Sequence, residues 1–304
     1  MTQYRKKQFP KDLIFCDAAL AARCELAEAE VLRLYHNILP RLPEQYRPKA
    51  ENKSERVAFA PICGGTMLFA GPGSPLNHAL GMGLTRKVTL RDIERVERFF
   101  FARNSFAEIQ LAPFAGIEAA NMLIARGYKI TEYANVLVRP LHLPLPAAKV
   151  RVLSIRETRV KDVELATDVV CDGFEMMEFP PKVRQTLLGF QLLPGRLCYM
   201  AWDTSKRKSV PVASAAGIVM PKLKLAMLYG SATLPKYRRR GAQLALIRAR
   251  LAAARKMGCE WATISTFPGT ASQRNAERAG FRVAYTKVTW VKDPPKKKVK
   301  MNKS

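Results

Sequence analysis

The last third of the chain switches between two hydrophobic periods, and the switches mark out its elements. Residues 225–234 (LAMLYGSATL) are apolar and β-favouring, which predicts a strand. A basic turn follows at 235–243 (PKYRRRGAQ). Beyond it Leu244, Ile247, Leu251 and Ala254 recur at helical spacing, while Arg248, Arg250, Arg255 and Lys256 fall elsewhere. That pattern predicts an amphipathic helix packed on a sheet, with Gly258 placed to end it. Residues 260–267 (EWATISTF) read as the next strand, 270–279 as a short helix, and the run after Gly280-Phe281 (RVAYTKVTWV) as a closing strand.

The first half repeats this order. Setting Gly127-Tyr128 against Gly280-Phe281 aligns Ala-Arg-Gly-Tyr-Lys-Ile with Arg-Ala-Gly-Phe-Arg-Val, each followed by an apolar strand. The same offset lays the helical stretch 90–103 beside the central helix of the second half and the strand 107–111 beside 260–264. Between the halves, 140–146 (PLHLPLP) reads as a stiff linker. The expected division is therefore 1–140, a linker at 141–149, a second domain at 150–292 and a polar tail at 293–304. A further long helix is expected near 17–36.

A strand, a glycine-containing basic turn and a helix in that order aim free backbone N–H groups and a helix dipole at one point, which suits an anion such as a phosphate. Gly241 supplies a positive φ or a close approach, and Arg238, Arg239 and Arg240 supply charge. The competing reading is a basic surface turn whose arginines are merely solvated. The first half has no glycine at the matching place, where Val88 stands within GLTRKVTLRD. Its glycines at 71–73 and 81–83 read as loop formers.

Residues 225–291 resemble the core of the Gcn5-related N-acetyltransferase (GNAT) superfamily, whose signature Arg/Gln-x-x-Gly-x-Gly/Ala opens the central helix. Arg238 and Gly241 match it; Gln243 stands where the family has a small residue. The resemblance implies an α/β fold, a mixed central sheet flanked by helices, with two GNAT-like domains in tandem. The first of them has lost its cofactor turn. It implies acetyl-CoA, or another acyl-CoA, as co-substrate. Pantetheine would lie along the strand backbone near Ala232, Thr233 and Leu234, and pyrophosphate on the N–H groups of Arg239, Arg240, Gly241, Ala242, Gln243 and Leu244. Asn275 would reach cofactor or solvent. Many relatives carry a tyrosine four residues before the glycine of Gly-Phe, where it protonates the leaving thiolate; here that place is Ala276.

Acyl transfer from CoA to an amine needs a proton acceptor for the ammonium, a donor for the carbonyl oxygen and an acid for the departing sulfur. Ser272, one turn before Ala276, is a candidate acid, as are Tyr229 and Tyr285 on their strands. Each has a structural reading beside it: Thr270 and Gln273 stand at capping-box spacing, and strand tyrosines often fill half-buried positions. Asp172, Glu175 and Glu178 (within CDGFEMMEFP) are candidate bases, or exposed loop charges.

Composition narrows the classes. At 304 residues and 48% hydrophobic content the chain has enough apolar surface for two cores, and no apolar run approaches the ~18 residues of a membrane span. No secretory signal is read at the start. Six cysteines lack Cys-x-x-Cys spacing, which fits reduced thiols in a cytoplasm, and His36, His78 and His142 show no metal-ligand spacing. A net charge of +26 is large even without the lysine-rich tail. Such a surface attracts CoA phosphates, acidic substrates or nucleic acid, so the alternative to an N-acyltransferase is a non-catalytic GNAT-like protein docking on nucleic acid or ribosomes. No recognised nucleic-acid motif accompanies the charge.

Overall fold

The structure, a computed structural model, describes residues 14–148, 150, 152–174, 180–205 and 207–295. In the first half α1 (Ala18–Ile38) precedes β1 (Ala58–Ile62), β2 (Gly65–Phe69), β3 (His78–Leu80), α2 (Leu90–Phe101), β4 (Ala107–Leu111), α3 (Ile117–Ala125) and β5 (Lys129–Pro140). The second half runs β6 (Leu153–Glu157), α4 (Val163–Gly173), α5 (Pro181–Phe190), β7 (Tyr199–Asp203), β8 (Val210–Met220) and β9 (Leu225–Thr233). It ends with α6 (Ala242–Lys256), β10 (Trp261–Thr266), α7 (Ala271–Arg278) and β11 (Arg282–Lys292).

All these strands join one mixed sheet in the order β1-β2-β3-β4-β11-β5-β10-β9-β8-β7-β6. The expected repeat is visible in it. β3 and β4 pair in parallel, as β9 and β10 do, and each parallel pair is followed by a helix and an antiparallel closing strand. The closing strands are exchanged: β5 lies between β11 and β10, and β11 between β4 and β5. Their antiparallel ladder runs from Arg282↔Val138 to Val291↔Lys129 and makes the two halves one sheet, so that neither half leaves an edge there. The architecture is an α/β tandem with helices on both faces.

Strand alternation sorts the helices. Val136 and Val138 point into a core with α1, α4 and α5, whereas Leu137 between them points into the core formed with α6 and α7. The predicted stripe of α6 holds for Ile247, Leu251 and Ala254, all buried. Arg250, assigned by its charge to the polar side, is instead wholly buried. Its Nη1 donates to the Ala216 carbonyl (2.6 Å) and its Nε to that of Leu246 (3.2 Å), and burial pulls its pKa down to about 10. The reason is local. β9 bulges at Gly230 opposite Ala215 and Ala216, and a bulge disrupts the ladder that would otherwise engage such carbonyls.

The Pro-rich stretch after β5 is pinned by another buried arginine. Arg139 donates through Nε to the Ala279 carbonyl (2.8 Å), through Nη1 to that of Pro140 (3.0 Å) and through Nη2 to that of Pro144. Arg139→Ala strands these acceptors, so it is expected to lower stability by about 2–3 kcal/mol, read as a shifted denaturation midpoint. Among the described residues no helix is long and apolar enough to cross a membrane.

Candidate functional site

β9 and β10 pair only from Leu225↔Trp261 to Leu228↔Ile264. Beyond that rung β9 bulges at Gly230 (φ +53°) and runs on to Thr233 without its neighbour. α4 can end against this free stretch only because Gly173 lacks a side chain: a Cβ there would stand 2.6 Å from the Ala232 Cβ. The parted strands, the 235–241 turn, α6 and α7 enclose a cleft of about 630 Å³. That is the size range of small-molecule sites.

The turn closes one end. After a short 3₁₀ turn at Pro235–Tyr237, Arg239 (φ +64°) and Gly241 (φ +83°) are both left-handed, and α6 begins at Ala242. A left-handed arginine is uncommon and costs energy that a tight turn must recover. Among the described residues the N–H groups of Arg239 to Leu244 find no backbone acceptor, the first backbone bond of α6 being Ala245 N–H to the Gly241 carbonyl. N–H donors without backbone acceptors at a helix N-terminus, with the helix dipole behind them, are what an anion cradle requires.

The arginine side chains of the turn have separate positions. Arg238 donates to the Thr233 carbonyl (3.2 Å) and the Gly173 carbonyl (2.8 Å), lashing α4 to β9. Arg240 lies 3.4 Å from Asp203 and over the Tyr237 ring, and Arg239 is exposed. Gln243 spans the cleft: its Nε2 donates to Thr233 Oγ1 (3.0 Å) and its Oε1 accepts from Ser231 Oγ (2.5 Å). In place of a small residue, the chain thus uses an amide to hold the bulged strand against α6.

α7 forms the opposite rim. Ser272 and Asn275 line the cleft together with Arg274 and Arg278, while Ala276 faces the core. The two arginines were not singled out from sequence. The available signal was their i, i+4 spacing, and among the described residues neither has a carboxylate partner. Thr270 caps the helix by accepting from the Gln273 N–H (3.3 Å), and the Gln273 amide oxygen accepts from Gly269 N–H (2.8 Å). Ala232, Thr233, Ala242 and Leu244 also line the cleft.

The tyrosines lie elsewhere. Tyr229 points to the α1 face, where its hydroxyl donates to the Phe190 carbonyl (3.4 Å) and burial pushes its pKa well above the usual value. Tyr285 is also on that face, donating to Glu25 Oε1 (2.6 Å), its pKa driven up by burial and by Glu25 and Glu28. Neither lines the cleft. Asp172 is exposed in the last turn of α4, next to the cleft-lining Gly173 and Phe174; Glu175 and Glu178 lie outside the described residues.

In the first half the same helix end is filled from within. The Asp92 carboxylate accepts from the Thr89 N–H (2.9 Å) and hydroxyl (2.6 Å) and from both terminal nitrogens of Arg86 (2.7 Å each). The guanidinium holds this carboxyl well below the usual range. The N-cap N–H of α2 is therefore taken up by the helix's own Asp92, whose carboxylate and its partner Arg86 stand at that end.

Residues 166–281 match the model of the Acetyltransferase (GNAT) family. Among solved structures, a GCN5-related N-acetyltransferase from Kribbella flavida aligns with 91% of this chain and 95% of its own at 18% identity, with a TM-score of 0.61. A tandem GNAT protein from the clavulanic acid biosynthesis pathway aligns with 87% of this chain and 95% of its own at 13% identity, with a TM-score of 0.55. A search of curated proteins found no match. Residues 166–281 thus match the GNAT acetyltransferase family, within a chain that has the fold of these GNAT structures, a tandem one among them.

Proposed function

We propose that the chain is an acyl-CoA-dependent N-acyltransferase that moves acetyl from acetyl-CoA to a primary amine by direct attack in a ternary complex. The observation that carries this reading is the meeting of two features in one cleft: strands parted past Leu228 and Ile264, and a cradle of unpaired N–H groups at 239–244. The residues fit the group. The cradle would take the pyrophosphate, and the edge of β9 near Ala232, Thr233 and Leu234 that lacks β10 would hold pantetheine as a sheet neighbour does, through Thr233 in particular, since the Leu234 N–H is already bonded to the Val212 carbonyl. Asn275 would face the cofactor across the cleft. Ser272, which lines the cleft from α7, would protonate the departing sulfur; Ala276 is buried and offers no proton.

Arg274 and Arg278 would add charge for CoA phosphates. Replacing both with alanine is expected to weaken acetyl-CoA binding about tenfold at low salt and less at high salt, since exposed charge pairs are worth ~1 kcal/mol or less each and are screened. Calorimetry at two ionic strengths checks this.

The experiment that tests the function is acetyl-CoA turnover by the full chain against a panel of primary amines, followed as free thiol. Amine-dependent thiol release supports the reading. Tight binding with no release by any amine would favour the non-catalytic alternative, for which the net charge of +26 is the main argument.

A further inference from the structure

The α1 face of the sheet holds a cluster of charge that the cofactor cleft does not use. α1 follows β10: Arg23 donates to the Leu223 carbonyl (2.8 Å) near the start of the parallel pair, and further along Glu28 Oε1 accepts from Ser265 Oγ (3.1 Å). Ser265 is the first residue of β10 beyond the last rung with β9, and Tyr229 is its counterpart on β9. Ile264 lines the cleft, so its neighbour Ser265 faces the other side of the sheet. Glu28 consequently lies over β5, reaching from Lys287 on β11 to Ser265, the residue that borders the gap on the α1 face.

That position is reachable. Ser265 is exposed, and the Glu28 side chain keeps 14% of its surface. The groups around Glu28 are Cys24 and Glu25 on α1, Tyr285 and Lys287 on β11 and His78 on β3. Lys287 pairs with Glu28 Oε2 and lies 3.3 Å from Glu25 Oε1, with its side chain 3% exposed. Glu25 Oε2 is buried with no hydrogen-bond partner. Two carboxylates thus share one ammonium inside a strongly basic chain, and Glu28, the less buried of the two, is the one that reaches Ser265 beside the gap.

We infer that Glu28, carried by the opening helix of the first half, completes the site of the second half by binding the acceptor's ammonium and taking its proton. This rests on the acyl-transfer reading. With acyl-CoA entering from the α6 side, the thioester carbonyl reaches the gap and the amine meets it from the α1 side. The nitrogen gives one proton to Glu28, which passes it to water. Its lone pair then forms the N–C bond, the C–S bond breaks with its electron pair leaving on sulfur, and the second proton shed by nitrogen ends on the thiol. The first half, whose own helix end is filled by Asp92, so retains a part in the reaction.

The test uses the full chain, acetyl-CoA and three probes: a monoamine, a diamine and a lysine peptide. Glu28→Gln is expected to keep acetyl-CoA affinity within about twofold while slowing amine-dependent thiol release by roughly 100-fold near pH 7, the usual worth of a positioned proton acceptor. The deficit should shrink as pH rises towards the amine's own pKa, where solvent has already removed the proton. Ser265→Ala, an exposed change that leaves the ion pair in place, is expected to slow release about tenfold at unchanged affinity, since the hydrogen bond that orients the Glu28 carboxylate is lost. Turnover of both variants at the wild-type rate, or a Glu28→Gln deficit that is flat with pH, would overturn the inference and leave Glu28 as a helix anchor. Wild-type binding of acetyl-CoA without release by any probe would also overturn it, whereas failure to bind acetyl-CoA at all would sink the acyl-transfer reading beneath it.

Discussion

Gly241→Val is expected to abolish acetyl-CoA binding, by about 100-fold or more, in a chain that still folds. Gly241 sits at φ +83° directly before α6, a region that a β-branched residue avoids at a cost of roughly 1–2 kcal/mol. The turn can relieve that strain only by rotating the peptides whose N–H groups face the cleft. A 100-fold loss is about 2.7 kcal/mol, comparable with one or two charge-assisted hydrogen bonds. The position is exposed, so the core is untouched and the strain is small against a typical ~5–15 kcal/mol of stability. Gly258→Val is the matched control. Gly258 also has positive φ (+80°), has open space around it, and lies at the far end of α6. Its variant should lose similar stability but bind acetyl-CoA normally, and equal affinity in both variants would break the link between turn and cofactor.

The second large effect is on stability. Lys287→Met leaves Glu25, wholly buried, and Glu28, mostly buried, without their shared cation, and breaking a buried pair from one side typically costs about 3–5 kcal/mol. The pH dependence has a definite sign. Burial already raises the Glu25 pKa, and Lys287 is the chief opposing influence, so the variant's folded state holds that carboxyl still higher relative to the unfolded chain. A group with a raised folded pKa contributes stability that is present below its unfolded value, near 4.5, and lost as pH rises through the folded value. The variant should therefore be most impaired near pH 8 and recover towards pH 5. His78 works oppositely in the wild type. Burial, helped by Lys287, pushes it down to about 4, so stability present above its unfolded value of 6.5 is lost as pH falls. Removing Lys287 eases that push, which adds to the variant's recovery at acid pH. Denaturant midpoints of both proteins at pH 5 and 8 check the sign; a wild-type-minus-variant gap that widens towards pH 5 would refute it.

The turn at 235–243, the stripe of α6 and the matching Gly-Tyr and Gly-Phe corners were legible in the sequence because each is set by residues a few positions apart. The exchange of β5 and β11 was not. Both strands have the same apolar pattern whichever neighbour they take, and pairing is decided across the whole chain. The same limit hid the cluster under α1, since Glu25 meets Tyr285 and Glu28 meets Ser265 only after folding brings distant segments together. Arg250 was misplaced because charge implies an exposed face, but a bulged strand offered carbonyls that its guanidinium could bond. Gln243 was read as a departure from a pattern; its function as a brace from α6 to Ser231 and Thr233 appears only in three dimensions.

The central claim is that one acyl-CoA site exists and that it lies at the second half's turn. Amide hydrogen exchange of the full chain, with and without saturating acetyl-CoA, tests it most directly. Slowed exchange is expected at 231–233 and 239–244, with no change around Thr89 to Asp92, where α2 is capped by its own carboxylate. Protection at the first-half helix end, or no protection at 239–244 under conditions where acetyl-CoA is bound, would contradict the account.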